Sequence, residues 1–146
     1  MLIGINPALN ADILYTLASM GHGDKIVLCD ANFPAASVAS HTNVVSHIES
    51  GLDAITMLEA VLSIFPIDKF DPHIPPVEGM QVVGAPNEIA PIIAEAKPIL
   101  QALDTDIKLI ERHSFYENTK KAYAIIRTNE PRPYGNFIIR KGVVGF

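Results

Sequence analysis

Apolar residues recur along this chain with two different spacings, and each spacing predicts a different element. A step of three to four residues predicts a helix over 11–20, where Asn10 can cap the first turn, and a longer helix over 51–65 that ends at Pro66. Short continuous apolar runs between polar residues predict buried strands instead. These runs cover 25–30, 44–48, 80–85, 106–111, 123–128 and 136–143.

Proline and capping residues shape the other predicted helices. Pro91 fits the first turn of a helical segment over 86–103, whereas Pro98 predicts that this segment is kinked or divided. Ser114 and Glu117 have the spacing of a capping box, which predicts a short helix that begins at Ser114. The remaining segments are interpreted as loops, namely 31–43 and the proline-rich stretch 71–79.

The order of these elements predicts the fold class. Strands that alternate with helices indicate an α/β fold, here a three-layer α/β/α arrangement around a mostly parallel central sheet. A mixed sheet at the C-terminal end is left open. No repeat, low-complexity tract or linker divides the sequence, and 146 residues is an ordinary domain length. Residues 1–146 are therefore predicted to form a single domain.

Composition narrows the classes of partner. Hydrophobic residues make up 49% of the chain and charged residues 18%, which indicates either buried subunit contacts or a sheet covered on both faces. A net charge of −5 argues against nucleic acid or an anionic membrane surface as the main partner. The basic residues near the C-terminus are interpreted as a solvated edge. With no apolar run near 18 residues and no secretory signal, the sequence predicts a cytoplasmic protein.

Polar residues follow two of the predicted strands. Asp30 comes directly after the strand over 25–30, and Arg112 follows the strand over 106–111. Ligands of open α/β sheets collect at the carboxyl ends of strands, so these two positions indicate a site. His22 precedes the same strand that Asp30 ends, and such a strand is about 17–20 Å long. Either the segment around His22 folds back along the sheet, or a neighbouring subunit completes the site.

Each candidate also has a purely structural interpretation. His22 lies between two glycines and can be a surface turn, and Asp30 with Asn32 can form an Asx turn. The segment from Tyr134 to Asn136 can be a turn that enters the last strand. Cys29, the only cysteine, lies in an apolar run and is predicted to be an inert core residue.

Other classes of site lack their motifs. The sequence has no phosphate-binding glycine loop and no G-x-S-x-G nucleophile elbow. His41 and His47 lack metal-ligand spacing, so no metal site is predicted. The remaining inventory of imidazole, carboxylate, guanidinium, phenol and amide suits an uncharged ligand rich in hydroxyl groups.

Three separated motifs resemble one known family. The stretches "GHGDKIVLCDANFP", "ERHSFYENTKKAYAII" and "PYGNFIIRKGV" closely resemble the signature of the L-fucose mutarotase and D-ribose pyranase family, and the likeness is strongest on the mutarotase side. It covers essentially the whole chain, although the middle is generic. The resemblance implies that His22 is the catalytic acid/base. It also implies that the sugar is bound by Asp30, Arg112, Tyr134, Gly135 and Asn136.

The resemblance also implies an activity and an assembly. The expected activity is an isomerase of carbohydrate metabolism that interconverts the α and β anomers of L-fucose or a related sugar through ring opening, with no cofactor and no metal. Homo-oligomers are expected, a ring-shaped decamer among them, with sites near subunit contacts. Because His113 adjoins Arg112 and "IIRT" is common among the pyranases, D-ribose pyranase activity stays open, as does a non-catalytic sugar-binding or regulatory role. Tyr116 is a second candidate proton relay or a packing residue.

Overall fold

The computed structural model describes residues 1–145, and its six strands all join one sheet. In chain order the strands are β1 Lys25–Cys29, β2 Ile48–Glu49, β3 Val77–Met80, β4 Lys108–Ile110, β5 Ala124–Arg127 and β6 Phe137–Arg140. They lie side by side in the order β2-β5-β1-β6-β3-β4. Five strands run parallel, and β6 runs antiparallel to both of its neighbours, β1 and β3. The predicted α/β class is confirmed, and the sheet is mixed through its last strand.

Five helices cover the two faces of this sheet. They are α1 Ala11–Ser19, α2 Ala35–Ala39, α3 Ala54–Leu62, α4 Pro91–Gln101 and α5 Arg112–Lys120. Alternate residues of β1 enter two separate cores, since Ile26 and Leu28 pack with α1, α3 and α4, whereas Val27 and Cys29 pack with α2 and α5. This alternation confirms the three predicted layers.

Side-chain caps explain where the well-predicted helices begin. The Asn10 side chain accepts a hydrogen bond from the backbone N–H of Ile13 at 2.9 Å, as the sequence predicts for α1. Asp53 caps α3 in the same way through the N–H of Thr56. Both helices then bury one apolar face against the sheet, and this burial supplies most of their stability.

Two strand predictions are wrong in position. β3 lies at Val77–Met80 rather than over 80–85, because the chain turns back directly after it: Val82 and Ala85 form an isolated antiparallel bridge. β2 shrinks from 44–48 to Ile48–Glu49. In both cases the pairing with β5 or β6, rather than local apolar content, decides which residues enter the ladder.

Three helix predictions also need correction. The segment interpreted as a loop over 31–43 contains α2. Helix α5 begins at Arg112 rather than at Ser114, because the Glu111 carboxylate accepts from the N–H groups of His113 and Ser114 and so acts as the cap. Pro98 lies inside α4 without dividing it. The buried face of α4, which includes Ile92 and Leu100, outweighs the backbone hydrogen bond that Pro98 cannot make.

Cys29 is placed as predicted, whereas the C-terminal basic residues only partly form the predicted solvated edge, since Arg140 is 20% exposed and pairs with buried Asp68. Cys29 is fully buried in β1, and burial raises the pKa of its thiol, which keeps it uncharged. Arg127 and Arg132, two of the C-terminal basic residues, each pair with a carboxylate on the surface, Glu49 and Glu95 respectively. No helix within residues 1–145 is both long enough and apolar enough to cross a membrane.

Candidate active site

The candidate residues divide between the two edges of the sheet. Asp30 follows the carboxyl end of β1, and His22 precedes its amino end. β6 runs the other way beside β1, so Asn136 lies next to Asp30 and Arg140 lies next to the segment of His22. The chain does not fold back to bring His22 to Asp30. We call these two groups the carboxyl-edge site and the amino-edge site.

The carboxyl-edge site is built on a buried carboxylate that is hydrogen-bonded to its own chain through both oxygens. Asp30 is buried, and its Oδ2 accepts from Nδ2 of Asn136 at 2.9 Å. The Asn136 Oδ1 in turn accepts from the backbone N–H of Asp30, also at 2.9 Å. Asp30 Oδ1 accepts from the N–H of Asn32, which is the predicted Asx turn. Burial raises the pKa of Asp30, and the hydrogen bonds from Asn32 and Asn136 oppose that shift.

The loop that leads into β6 holds the next two candidates. Tyr134 has a φ of +68°, and its hydroxyl accepts a hydrogen bond from the N–H of Val83 at 3.1 Å. Gly135 lies so close to its surroundings that a Cβ there would be 2.9 Å from Cγ of Glu130 and 3.5 Å from Cβ of Asp30. Only glycine lets this turn pass over those two side chains, as predicted for a turn that enters the last strand.

An ion pair between the buried carboxylate of Glu130 and the partly exposed side chain of Arg132 anchors this loop, and sequence reasoning missed it. Glu130 is 1% exposed, and its carboxylate accepts two hydrogen bonds from the guanidinium of Arg132, at 2.7 and 3.1 Å. These bonds lower the pKa of Glu130. Nη1 of Arg132 also donates a hydrogen bond to Oε2 of Glu95 on α4 at 2.6 Å. The signal available in the sequence was weak, because Glu130 and Arg132 lie in the stretch "NEPRPYG" with no spacing that distinguishes them from an ordinary turn.

Arg112 lies at the same edge but apart from this group. It occupies the first turn of α5 after β4, and in the sheet β6 and β3 separate β4 from β1. Within residues 1–145 its guanidinium makes no hydrogen bond or ion pair, and the side chain is exposed. Tyr116, on the same helix, packs against Phe33 with ring centroids 5.4 Å apart, which favours its packing role. The structure therefore brings Asp30, Tyr134 and Asn136 together and leaves Arg112 to one side.

The amino-edge site begins with a tight turn that displays His22. The N–H of Asp24 donates to the carbonyl of Gly21 at 3.2 Å, and the N–H of Gly21 donates to the Asp24 carboxylate at 2.7 Å. Gly23 has a φ of +84°, which the third position of such a turn requires and which glycine adopts without strain. The N–H of Gly23 also donates to the carbonyl of Lys141 after β6, at 2.9 Å. His22 is thus held at a fixed position with 47% of its side chain exposed.

Asp68 is a buried carboxylate beside this imidazole, and sequence reasoning also missed it. Its Oδ2 lies 3.3 Å from Nε2 of His22 and 3.1 Å from Nε of Arg140, although only 4% of the residue is exposed. Oδ1 accepts from the N–H of Phe70 at 3.0 Å. No motif surrounds Asp68 in the sequence, and the contact with His22 spans 46 positions, so no local pattern could reveal it.

The backbone fixes Asp68 through a close approach at Gly142. A Cβ at Gly142 would lie 2.6 Å from the carbonyl oxygen of Ile67 and 2.9 Å from Cα of Asp68. The N–H of Gly142 donates to the carbonyl of Pro66 at 2.7 Å. This contact allows the segment that carries Asp68 to run directly against the end of β6.

An open cavity of about 930 Å³ lies next to His22, with Asp68, Phe70 and Val144 in its lining. A second one, of about 580 Å³, also borders His22 and is lined mainly by apolar side chains. Phe70 is 79% exposed, and Leu2 and Val144, which line these cavities, are exposed as well. Apolar surface of this extent around a polar group is typical of a contact with another molecule. Within residues 1–145, no three His, Cys, Asp or Glu side chains are grouped so that they could hold a metal ion.

Comparison with known proteins places this arrangement in a family. The RbsD / FucU transport protein family matches residues 3–144. The fucose mutarotase of Homo sapiens is 40% identical over 146 residues, which are 97% of this chain and 93% of that protein. The crystal structure of the fucose mutarotase in complex with L-fucose from Streptococcus pneumoniae is 37% identical, with a TM-score of 0.87 over 98% of this chain and 99% of the other. The structure of Bacillus subtilis RbsD complexed with D-ribose is 27% identical, with a TM-score of 0.70 over 99% and 98% of the two chains. The chain therefore belongs to the RbsD / FucU transport protein family, in agreement with the resemblance of its motifs.

Proposed function

We propose that this chain is a monosaccharide mutarotase, an isomerase that interconverts the α and β anomers of L-fucose or a closely related sugar. One observation carries the proposal: the chain matches a protein named fucose mutarotase over 97% of its length, and it presents an accessible imidazole on a fixed turn. We also propose a role for each residue of the two sites.

The reaction needs two proton transfers, and His22 suits them. Ring opening removes the proton from the anomeric hydroxyl, breaks the bond between C1 and the ring oxygen, and delivers a proton to that oxygen. Rotation about the bond from C1 to C2 and reclosure reverse these steps on the other face of the aldehyde. Imidazole takes up and returns protons near neutral pH, so one histidine serves both directions. The chemistry requires no cofactor.

Asp68 gives this histidine a defined orientation. Nε2 of His22 lies 3.3 Å from the Asp68 carboxylate, which leaves Nδ1 as the nitrogen to face the sugar. Asp68 thus acts through His22 rather than on the sugar.

The carboxyl-edge site supplies the hydrogen-bonding groups that a sugar needs. Asp30 accepts from hydroxyl groups, Asn136 offers a donor and an acceptor, and Tyr134 adds a phenol and a ring face. Arg112 donates to hydroxyl groups and to the charge that develops on oxygen as the ring opens. Gly135 keeps the turn close enough for its neighbours to reach the sugar.

We infer that two copies of the chain assemble so that the amino-edge site of one copy meets the carboxyl-edge site of the other. His22 and Asp30 lie at opposite ends of β1, and the surface around His22 is apolar and open. A contact between the amino edge of one copy and the carboxyl edge of the next is head-to-tail, and such contacts form rings when the rotation between copies closes. This supports a homo-oligomer, a ring-shaped decamer among its forms. We further propose that residues 1–146 act as one domain and that the protein works in the cytoplasm.

D-ribose pyranase activity is the second candidate, because the chain is 27% identical to an RbsD whose structure contains D-ribose. The ring opens in the same way, and reclosure through a different hydroxyl converts the pyranose to the furanose. A sugar-binding or regulatory protein would keep the carboxyl-edge site and show no exchange above the buffer rate.

Magnetisation exchange by NMR between the two anomers tests the activity. We expect the wild type to exchange the anomers of L-fucose far faster than buffer and His22→Ala to lose roughly 10²–10⁴-fold. His41→Ala is the matched control, since His41 is also an exposed histidine, and it should retain full exchange. Unchanged exchange in His22→Ala removes His22 from the mechanism. The same measurement with D-ribose tests the pyranase, and wild type that binds both sugars without exchanging either supports the non-catalytic role.

Mixing two inactive variants tests the shared site. Chains with His22→Ala and chains with Asp30→Asn are unfolded together, mixed and refolded. If each site takes one residue from each of two copies, about a quarter of the sites in a random mixture contain both native residues, and activity returns to that level. A site within one chain predicts no recovery, provided that light scattering shows mixed oligomers.

A further inference from the structure

We propose that Arg140 is a positioning residue: its guanidinium balances the charge of buried Asp68 and keeps Oδ2 of that carboxylate turned toward Nε2 of His22. The inference rests on the proposed role of His22 and adds a third member to the pair of His22 and Asp68. It starts from two distances on one oxygen, 3.1 Å from Nε of Arg140 and 3.3 Å from Nε2 of His22.

Arg140 is the cation available to Asp68. A carboxylate that is 4% exposed is costly unless an opposite charge compensates it. The nearby lysines are engaged elsewhere, since Lys141 donates to the carbonyls of Leu17 and Met20 and Lys69 donates to the carbonyl of Leu103. Within residues 1–145, the ion pairs of Asp68 are those with Arg140 and His22.

The backbone and the side chain of Arg140 have separable roles. Its carbonyl accepts from the N–H of Asp68 at 3.0 Å, and its own N–H donates to the carbonyl of Pro76 at 2.9 Å. These bonds place the Asp68 main chain and survive any substitution at position 140 except proline. The guanidinium alone acts on the carboxylate, so a change of side chain tests the electrostatic role without removing the strand.

The nitrogen of Arg140 that faces Asp68 has no alternative acceptor. Nε is buried, and among the described residues it is the buried side-chain polar atom that lacks an aligned hydrogen bond. A buried donor in this state is unusual and calls for an explanation. The geometry supplies one: Oδ2 of Asp68 lies 3.1 Å from Nε of Arg140 and 3.3 Å from Nε2 of His22 without an aligned hydrogen bond to either, so the charge of Arg140, rather than a directional bond, holds the carboxylate beside the imidazole. The approach of Arg140 to Gly23, with Nη2 3.6 Å from the position of a Cβ there, keeps the guanidinium against the turn that displays His22.

Arg140→Met and Arg140→Lys test this role, with Arg127→Met as the matched control. Arg127 also ends a strand and pairs with a carboxylate, Glu49, but that pair is exposed and distant from His22 in the sheet. We expect Arg140→Met to lower kcat for anomer exchange about 10- to 100-fold while KM changes little, since misplacement of a catalytic group acts on the chemical step. Arg140→Lys should recover part of the loss, because the charge returns without the planar donors. Arg127→Met should match the wild type.

The tautomer of the His22 imidazole gives a readout that needs no sugar. In ¹⁵N-labelled protein at alkaline pH, we expect one tautomer with the proton on Nε2 in the wild type and in Arg127→Met, and a mixture of both tautomers in Arg140→Met. This measurement stands even if the wild type exchanges no sugar, so failure of the proposed activity and failure of this inference are distinguishable. A folded Arg140→Met with wild-type exchange and a single Nε2–H tautomer overturns the proposal. If that variant does not fold, an Arg140→Lys variant identical to the wild type in both readouts overturns it instead.

Discussion

Replacing Asn136 with alanine removes both side-chain hydrogen bonds that join the start of β6 to the end of β1. The Asp30 N–H loses its acceptor, and the Asp30 carboxylate loses a donor, each at 2.9 Å. Asp30 and Asn136 are both buried, so water does not simply replace the lost partners. The carboxylate keeps the hydrogen bond from the N–H of Asn32.

The expected loss follows from these two bonds. A buried donor left without a partner costs about 1–3 kcal/mol, and a hydrogen bond to a charged group contributes about 1.5–3 kcal/mol. Some water enters the space of the missing amide, so we expect the free energy of unfolding to fall by about 2–4 kcal/mol in total. For a chain of this length that lowers Tm by roughly 5–15 °C.

The loss depends on pH in a defined direction. Burial already raises the pKa of Asp30, so its ionised form costs stability as the pH rises through that raised value. Asn136 donates to the ionised form and reduces this cost. Asn136→Ala therefore destabilises the protein more at pH 7 than at about pH 3, which lies below even the ordinary value of 3.8 from which the pKa of Asp30 is raised.

Equilibrium unfolding in urea, at one protein concentration and at both pH values, measures these changes. Asn129→Ala is the control, because Asn129 is exposed and its side chain makes no hydrogen bond within residues 1–145; we expect it to change stability by less than about 0.5 kcal/mol. If Asn136→Ala is no more destabilising than Asn129→Ala, the pairing of Asn136 with Asp30 does not hold the two strands together, and the account of the carboxyl-edge site is wrong.

Two further substitutions test the supports of the two sites. Glu130→Gln should destabilise the protein by about 1.5–3 kcal/mol at pH 7 through loss of charged bonds to Arg132. The pKa of Glu130 is lowered from 4.5 in the folded state, so that contribution is present above pH 4.5 and is lost as the pH falls through the folded value. Urea unfolding at about pH 3 should therefore show a smaller difference in the free energy of unfolding between the wild type and Glu130→Gln. Gly142→Ala should cost about 1–3 kcal/mol by thermal unfolding, since its Cβ would contact the backbone of Ile67. Gly21→Ala, whose Cβ meets no atom closer than 3.7 Å, is the matched control, and equal stability of the two variants would contradict the close approach.

Local patterns predict those parts of the fold that local interactions decide. Asn10 caps α1 through a hydrogen bond three residues along the chain, and the apolar face of α3 recurs within the helix itself, so the sequence alone identifies both. β3 is different, because its residues are selected by pairing with β6 some sixty positions later. The apolar run over 80–85 looks like a better strand, but the chain turns there, and Val77 and Gly79 pair instead.

The same contrast applies to the site. Glycine spacing and the strand end indicate His22 and Asp30, because both are marked by neighbours in the sequence. Asp68 carries no such mark, since its partner His22 lies 46 positions away. Glu130 pairs with Arg132 only two positions on, but nothing in that stretch distinguishes it from an ordinary turn. Distance along β1 could be estimated from strand geometry alone, and the separation of His22 from Asp30 was predictable for that reason.

The last strand of the chain lies in the middle of the sheet, and this has a consequence for the order of assembly. β6 separates β1 from β3, so until residues 137–140 leave the ribosome the nascent chain has two incomplete sheets, of three and of two strands. Each has an unpaired edge strand where β6 will insert, and such edge strands pair readily with other chains. The carboxyl-edge site and the amino-edge site are also incomplete at that stage, because Asn136 directly precedes β6 and Arg140 is its last residue. Biosynthesis must therefore pass residue 140 before this protein acquires a closed core, and a nonsense codon just before residue 137 would leave the sheet as incomplete as one placed soon after β5.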